Sequence, residues 1–444
     1  MKKRYILFLI LIFALFGCGT DYILSSFYLR KDFQWLKPAS EQANLNDEQF
    51  VIGGYEFNKN NSPVVLATKD NYMLLIYEYR RAANTNLIGV DGSQTVNINI
   101  AISKNAYNFT VDNRVVGDEG LNPTKSHGAP VVFYNNSDNS IVVLSTTGKP
   151  GYGTGGTADE ITKLSYSIST NNGYNWTEWV DIDTNIFKPL TDRGIKRFYT
   201  NPGNGLTLNN GALVCMVDYK SVGSSKSQGA AIIYSVNKGK DWQLGATMEY
   251  TGAAANGKRF ARVVAERLDG SLLIAAVHDS NGGDQFNDSG SLYWAVLPNL
   301  QKGGVINTLQ VSGLPDNDGV NVSVGRIKFT HRNQSYNGLV IAHSTPNRVY
   351  KHPQLGNQYV TNALSISISK DDGASWTLIK NNFGVPDNKT SFRKSLQVLK
   401  DGSITVVNEE PNALGVTANL GYDIIYRRFG LAAISGGDYY YEGL

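Results

Sequence analysis

The side chains with most chemistry to offer are arginines standing at or near the starts of apolar runs. Arg259 and Arg262 lead into Val263-Val264-Ala265, Arg326 into Ile327-Lys328-Phe329, and Arg393 into Ser395-Leu396-Gln397-Val398. A guanidinium keeps its charge at any ordinary pH and presents a planar fork of donors. Several brought to one place would bind a carboxylate or phosphate; scattered, they are ordinary surface residues. Carboxylates occur at the ends of other runs, in Glu78-Tyr79-Arg80 and at Glu409; for Arg80 and Glu409 a solvated strand end is the alternative to a site. Asp91-Gly92 reads by itself as a turn, and His278-Asp279 closes the run from Leu272 to Val277, where a lone histidine is more often structural than catalytic. No cluster of His, Cys, Asp and Glu suggests a metal site. Chemistry therefore depends on what elements carry these residues, and whether they bring them together.

Two interleaved repeats describe those elements. Ser169-Thr-Asn171-Asn-Gly173-Tyr-Asn-Trp176, Ser235-Val-Asn237-Lys-Gly239-Lys-Asp-Trp242 and Ser369-Lys-Asp371-Asp-Gly373-Ala-Ser-Trp376 share the pattern Ser-x-Asx-x-Gly-x-x-Trp. The first two start 66 residues apart and the last two 134, about twice that period; Ser103-Lys-Asn-Ala-Tyr-Asn-Phe109 is a degraded copy one period earlier. Each fits a hairpin turn: the Asx side chain folds onto its own backbone, Gly supplies a positive φ, and Trp is a large ring to bury between neighbouring units. Between the boxes lie six strand–turn–strand segments, beginning at Pro63, Pro130, Gly205, Arg262, Arg326 and Leu396, with turns such as Asn209-Asn-Gly and Lys400-Asp-Gly. A period of this length predicts an all-β six-bladed β-propeller of four-stranded antiparallel blades, whose closure removes long sheet edges. A large β-sandwich is the alternative. In a propeller the innermost strands run the same way along the axis, so Arg259 or Arg262, Arg326 and Arg393 are expected to form one cationic funnel.

Six such blades account for most of the 444 residues without a second domain. The N-terminus reads differently. Lys2-Lys3-Arg4, the apolar run Tyr5 to Phe16 and then Gly17-Cys18 form a secretory signal too short to span a bilayer. Leu15-Phe16-Gly17-Cys18 resembles a bacterial lipobox, which makes residues 1–17 the signal peptide, Cys18 the lipidated first residue, 18–46 a tether and 47–444 the propeller. Cleavage nearby, with release of a soluble protein, is the alternative. The expected location is the bacterial cell envelope, with the membrane reached through the lipid alone. Cys215 lies in an apolar strand and reads as a buried thiol. Loss of the leader takes the basic count from 41 to 38 against 38 acidic residues, which argues against nucleic acid as a partner.

The boxes resemble Asp boxes, the bacterial neuraminidase repeats, and their order resembles that of the sialidases. Pro202-Gly-Asn-Gly-Leu-Thr-Leu208, Lys400 to Glu409 and Gly421 to Phe429 match as well. The resemblance covers about residues 50 to 435 and implies exo-α-sialidase chemistry on terminal sialic acids of glycans, without a cofactor. It implies three arginines for the sugar carboxylate, an aspartic acid as general acid/base, and a tyrosine nucleophile helped by a glutamate. By it, Asp91 is the acid/base, Glu409 the glutamate that braces an arginine, and Arg80 a pocket-rim arginine. Arg348 is the nearest counterpart of the third arginine. Other positions depart from the pattern. Asn61 stands where the first arginine is expected, Val277-His278 at the second, and Arg393, beside Phe392, where the tyrosine belongs. Tyr55, Tyr107, Tyr199 and Tyr359 are the loop tyrosines left to supply a hydroxyl. Two functions follow from these expectations: a lipid-anchored sialidase acting on sialylated glycans or other terminal sugars, or a propeller that binds glycan or protein without catalysis.

Overall fold

The computed structural model describes residues from 46 to 443, apart from 53–57, 82–95, 119–124, 153–156, 223–227, 250–258, 279–290, 301–303, 307–309, 312–313, 315–321, 352–357, 384–390, 412–421 and a few single positions. The proposed leader, Cys18 and almost all of the tether lie outside them.

Alternating apolar runs form strands throughout. After β1 (Asn46–Ile52), unit one comprises β2 (Asn58–Ala67), β3 (Met73–Arg81), β4 (Val96–Ser103) and β5 (Thr110–Val115). Unit two is β6 (His127–Asn135), β7 (Ser140–Thr147), β8 (Lys163–Ser169) and β9 (Val180–Asp181), followed by the short helix α1 (Lys188–Thr191). Unit three contains β10 (Ile195–Thr200), β11 (Gly203–Asn204), β12 (Leu206–Thr207), β13 (Leu213–Ser221), β14 (Gln228–Ser235) and β15 (Gln243–Glu249). Unit four is β16 (Arg259–Glu266), β17 (Leu272–His278), β18 (Ser291–Leu297) and β19 (Gln310–Val311). Unit five is β20 (Ser323–His331), β21 (Gln334–Lys351), β22 (Gln358–Ser369) and β23 (Thr377–Lys380). Unit six is β24 (Lys394–Val398), β25 (Ile404–Pro411) and β26 (Tyr422–Phe429), after which come α2 (Leu431–Ser435) and β27 (Tyr439–Gly443).

Hydrogen bonding sorts these strands into five sheets, where six separate four-stranded ones were expected. Units one and six share an eight-stranded sheet, yet β2 meets β26 at one pair only, Asn60 with Tyr422. β1 pairs with β26 from Asn46↔Phe429 to Ile52↔Ile424 and supplies the fourth strand of unit six. The shared sheet is thus two antiparallel four-stranded units joined at a corner. Extra strands also widen the sheets of units five and two: β27 adds to β20, and β11 pairs in parallel with β6. The first strand of unit three starts at Ile195, ahead of the expected Gly205, and breaks at Asn201-Pro202. Proline has no N–H to give the ladder, so the chain leaves unit three there and crosses to unit two.

Six buried apolar clusters each lie between two successive units. Val64 and Ile76 of unit one meet Val132 and Ile141 of unit two, for example, and Ile327 of unit five meets Leu396 and Val406 of unit six. The cluster of Leu75, Tyr77, Val407 and Ile424 joins unit six to unit one. The boxes lock these interfaces. Ser Oγ donates to the Asx Oδ1 at 3.1, 3.0 and 2.8 Å, and accepts the Gly N–H at 3.0, 2.9 and 2.8 Å. Both residues of each turn are left-handed: Asn172, Lys238 and Asp372 at φ 56, 66 and 58°, and the glycines at 82, 85 and 90°. A Cβ on Gly173, Gly239 or Gly373 would come within 2.7–2.8 Å of Ile100, Val142 or Leu273, each one unit back. Trp176, Trp242 and Trp376 enter the corresponding clusters. The degraded copy retains the turn, with Ser103 bonded to Asn105 at 3.0 Å and Phe109 packed on Tyr426. Cys215 is buried in β13, as expected, and burial pushes its thiol pKa well up.

Candidate active site

Strands β2 and β6 each carry a bulge at the residue before a proline. Ser62 and Ala129 adopt φ 54 and 53° there, which leaves their N–H groups outside the ladder. A buried carboxylate on the preceding unit receives each one. Glu78 Oε1 accepts from Ala129 N at 2.5 Å, and Glu409 Oε1 accepts from Ser62 N. In unit two the place of Glu78, opposite the residue two before the proline, belongs to Thr146, whose hydroxyl accepts from Thr200 N at 2.9 Å. Glu409 and Glu78 are therefore buried acceptors, and the solvated-strand-end alternative is corrected for Glu409 and for Arg80, which is buried as well.

Cations follow the carboxylates. Arg80, two residues beyond Glu78 on the same face, donates to Glu78 Oε2 through Nε at 2.9 Å and also through Nη2. Arg393 stands one residue before β24 with its Nη1 3.6 Å from Glu409 Oε1. Tyr422 pairs opposite Pro411, two positions beyond Glu409, so Arg393, Glu409 and Tyr422 share one face of unit six. Tyr199, expected in a loop, sits buried in β10 opposite Asp218, with its ring 5.5 Å from that of Tyr152.

These groups set one another's charge. Burial raises the Glu78 carboxyl, but Arg80, Arg393 and the Ala129 N–H outweigh it and hold its pKa below the usual range. Burial wins at Glu409 against Arg393 and the Ser62 N–H, bringing that carboxyl to about 7. Burial would weaken the Arg393 cation, yet Glu409, Tyr199, Glu78 and Tyr422 raise its pKa. Tyr199 and Tyr422 are both pushed up to about 12, chiefly by burial, with Glu409 as the next influence on Tyr422. A phenol so weakly acidic attacks only if a base removes its proton in the same step, and Glu409 titrates near neutrality on the same face. Sequence reasoning missed Tyr422, whose place opposite the second residue after Glu409 is set by strand pairing.

Arg262 and Arg326 do not join Arg393 in the expected funnel, and the Arg259 side chain lies outside the described residues. Arg262 and Arg326 are the fourth residues of β16 and β20, whereas Arg393 precedes β24. At about 3.3 Å per residue they lie on the order of 10 Å further along. Arg326 is held by Asp372 Oδ1 at 2.5 Å, and Arg262 by the carbonyls of Val322 and Asn204 at 3.2 Å. Arg348 belongs to β21, but its side chain, like those of Arg259, His278 and Tyr359, lies outside the described residues, as do Asp91, Asp279, Phe392, Tyr55 and Tyr107. Asn61 is buried opposite Glu78. No group of three or more potential metal ligands occurs among the described residues.

The chain belongs to the BNR repeat-like domain family, which it matches over residues 59–283. No curated protein matches it. Among solved structures it is similar to the Hadza microbial sialidase Hz136, with a TM-score of 0.57 and 16% identity over 84% of this chain and 66% of that one. The Trypanosoma rangeli sialidase in complex with the inhibitor DANA gives 0.56 and 13%, covering 86% and 56%. The intramolecular trans-sialidase from Ruminococcus gnavus in complex with oseltamivir carboxylate gives 0.59 and 13%, covering 87% and 98%. The chain thus spans less than two thirds of the first two. At these identities the likeness is one of fold: this all-β chain has the fold of the sialidases.

Proposed function

We propose that the six units close as a six-bladed β-propeller and that the protein is an exo-α-sialidase-like glycoside hydrolase. It releases terminal sialic acid from glycoconjugates at the bacterial cell surface, where a lipid on Cys18 anchors it. The six inter-unit core clusters, the last returning from unit six to unit one, support the ring. One observation carries the activity: Arg80, Arg393, Glu78, Glu409, Tyr199 and Tyr422 lie within one electrostatic neighbourhood at one end of the strands. Arg393 receives the carboxylate of the sugar. Tyr422 Oη bonds to the anomeric carbon as its proton passes to Glu409, and the glycosidic C–O bond breaks. Asp91 protonates the departing oxygen and then draws a proton from the water that cleaves the tyrosyl intermediate.

A second reading, glycan binding without turnover, is favoured by Asn61 and Arg393, which stand where the sialidase resemblance implies an arginine and a tyrosine. Hydrolysis of a fluorogenic sialoside by the purified protein separates the two. The enzyme reading expects turnover that falls by about 10²–10⁴ in Asp91→Asn and in Tyr422→Phe. Retained sialoside binding with no turnover at high protein concentration establishes the binder instead. For the anchor, radiolabelled palmitate should enter the wild-type protein and not Cys18→Ser; an unlabelled wild type refutes it.

A further inference from the structure

At the other ends of the first strands lies a cavity of about 480 Å³, reached from the box side of the molecule. Leu66, Val132, Val263, Val324 and Val398 give it apolar walls. Four of its lining residues are basic, namely Lys69, Arg262, Arg326 and Lys400, and none is acidic. Its floor is a polar plug built on Asn204, the residue that β11 carries across from unit three. Asn204 Nδ2 donates to Val65 O at 2.8 Å, and its Oδ1 accepts from Ser323 Oγ at 3.3 Å and from Ser395 Oγ. Ser395, a partner of the plug, lies two residues along the chain from Arg393, and no member of the Arg393–Glu409 cluster lines the cavity.

Arg262 is the unusual member of this lining. It is 7% exposed, yet only carbonyl oxygens meet it among the described residues, and both bonds are long at 3.2 Å. Arg326, by contrast, has the Asp372 carboxylate. Burial lowers the Arg262 pKa to about 10, as expected of a cation without a counter-ion. Space for the guanidinium exists because Gly203 has no side chain; a Cβ there would lie 1.9 Å from Arg262 Nη2. A buried, uncompensated cation opposes folding unless something outside the chain answers it.

We infer that this cavity is a second binding site, distinct from the proposed active site, for a compact ligand of monosaccharide size that carries an oxyanion. The volume falls in the range of small-molecule sites. Arg262 provides a planar fork for a carboxylate or phosphate, Lys69 and Lys400 sit at the rim, and Gln397 offers an amide group for hydroxyls.

Isothermal titration calorimetry on the whole protein tests this with glucuronate, glucose 6-phosphate and uncharged glucose. At least one charged sugar should bind, with affinity at least tenfold above that for glucose and reduced at least tenfold in Arg262→Gln. The preference between the two sugars assigns carboxylate or phosphate. Should Arg262→Gln fail to fold, the exposed rim pair Lys69→Gln/Lys400→Gln should weaken binding three- to tenfold with an unchanged melting temperature. Arg262→Met should melt no lower than wild type without ligand. Equal binding of glucose, charged-sugar affinity untouched by the Arg262 and rim variants, or binding lost in Arg393→Gln alone overturns the inference. The last result would assign the ligand to the other end.

Discussion

The two ends of the strand units obey different rules. At the box end, three turns repeat the same bonds with nearly the same lengths, and each glycine touches the unit behind it. At the other end, corresponding places hold Glu78 or Thr146, with Glu409 receiving the next bulge, while the neighbouring charges change from unit to unit. A box is satisfied mostly within eight consecutive residues, so one local solution serves three units. The charged end is assembled from several units, and each position answers to different neighbours. Repetition marks where the chain builds a scaffold; its loss marks the end at which we propose the chemistry.

The comparison breaks most readily at the buried charges. Glu78→Ala leaves Arg80 buried beside an empty place and should cost about 3–5 kcal/mol in urea unfolding, whereas Thr146→Val should cost about 1–3 kcal/mol. Equal losses would show that the two acceptors do the same work. At the box end, Trp242→Ala should cost about 3–5 kcal/mol. Trp376→Ala should cost less, because its ring is only partly buried and its Nε1 finds no acceptor among the described residues, while Trp242 donates to Gly239 O at 2.9 Å. A larger loss at Trp376 would mean that its stack on Trp294 outweighs the bond.

Acid and base should act on opposite groups. His127 is stacked on Trp179 with centroids 4.1 Å apart, and burial lowers its pKa from 6.5 to about 4. Its stabilising effect is present above pH 6.5 and disappears as pH falls towards 4, a change on the order of 3 kcal/mol that His127→Asn should abolish. Glu409 is raised from 4.5 to about 7, so its contribution is present below pH 4.5 and lost as pH rises through 7. Glu409→Gln should flatten that limb; an unchanged slope between pH 5 and 7.5 would mean the carboxyl is ionised throughout. Gly239→Ala should cost about 1–3 kcal/mol, from a left-handed φ of 85° and contact with Val142. Thermal melts should show similar losses for Gly173→Ala and Gly373→Ala if the boxes are interchangeable.

Most of the scaffold was legible because turn chemistry is written locally. Ser, Asx, Gly and Trp at fixed spacing specify the boxes, and apolar alternation places the hairpins. What escaped depends on distant partners. The fourth strand of unit six is β1, whose sequence carries no box or hairpin. The first strand of unit three breaks at Pro202, so the apolar run after it marks only the second half. The arginines were legible as residues but not as a site, since a strand position four residues deeper moves a side chain away from the mouth. Tyr422 looked like core because the run that carries it continues as Ile424, Ile425 and Tyr426. Buried pairs such as Arg427–Glu410 at 2.7 Å and Arg428–Asp401 at 2.6 Å were likewise invisible until β26 was laid beside its neighbours.

The pairing of β1 with β26 also sets an order of events. Asn46 finds Phe429 only once the chain between them has been made, so β1 waits for its partner until the sixth unit exists. Contacts this far apart in sequence form slowly, because the entropy of the intervening loop must be lost before any bond compensates. Units one to five can assemble on neighbouring contacts as they emerge, with β1 still a bare edge. A chain halted anywhere before β26 would keep that edge exposed and open to the wrong strand, so completion of the last unit is also the step that ends its vulnerability to aggregation.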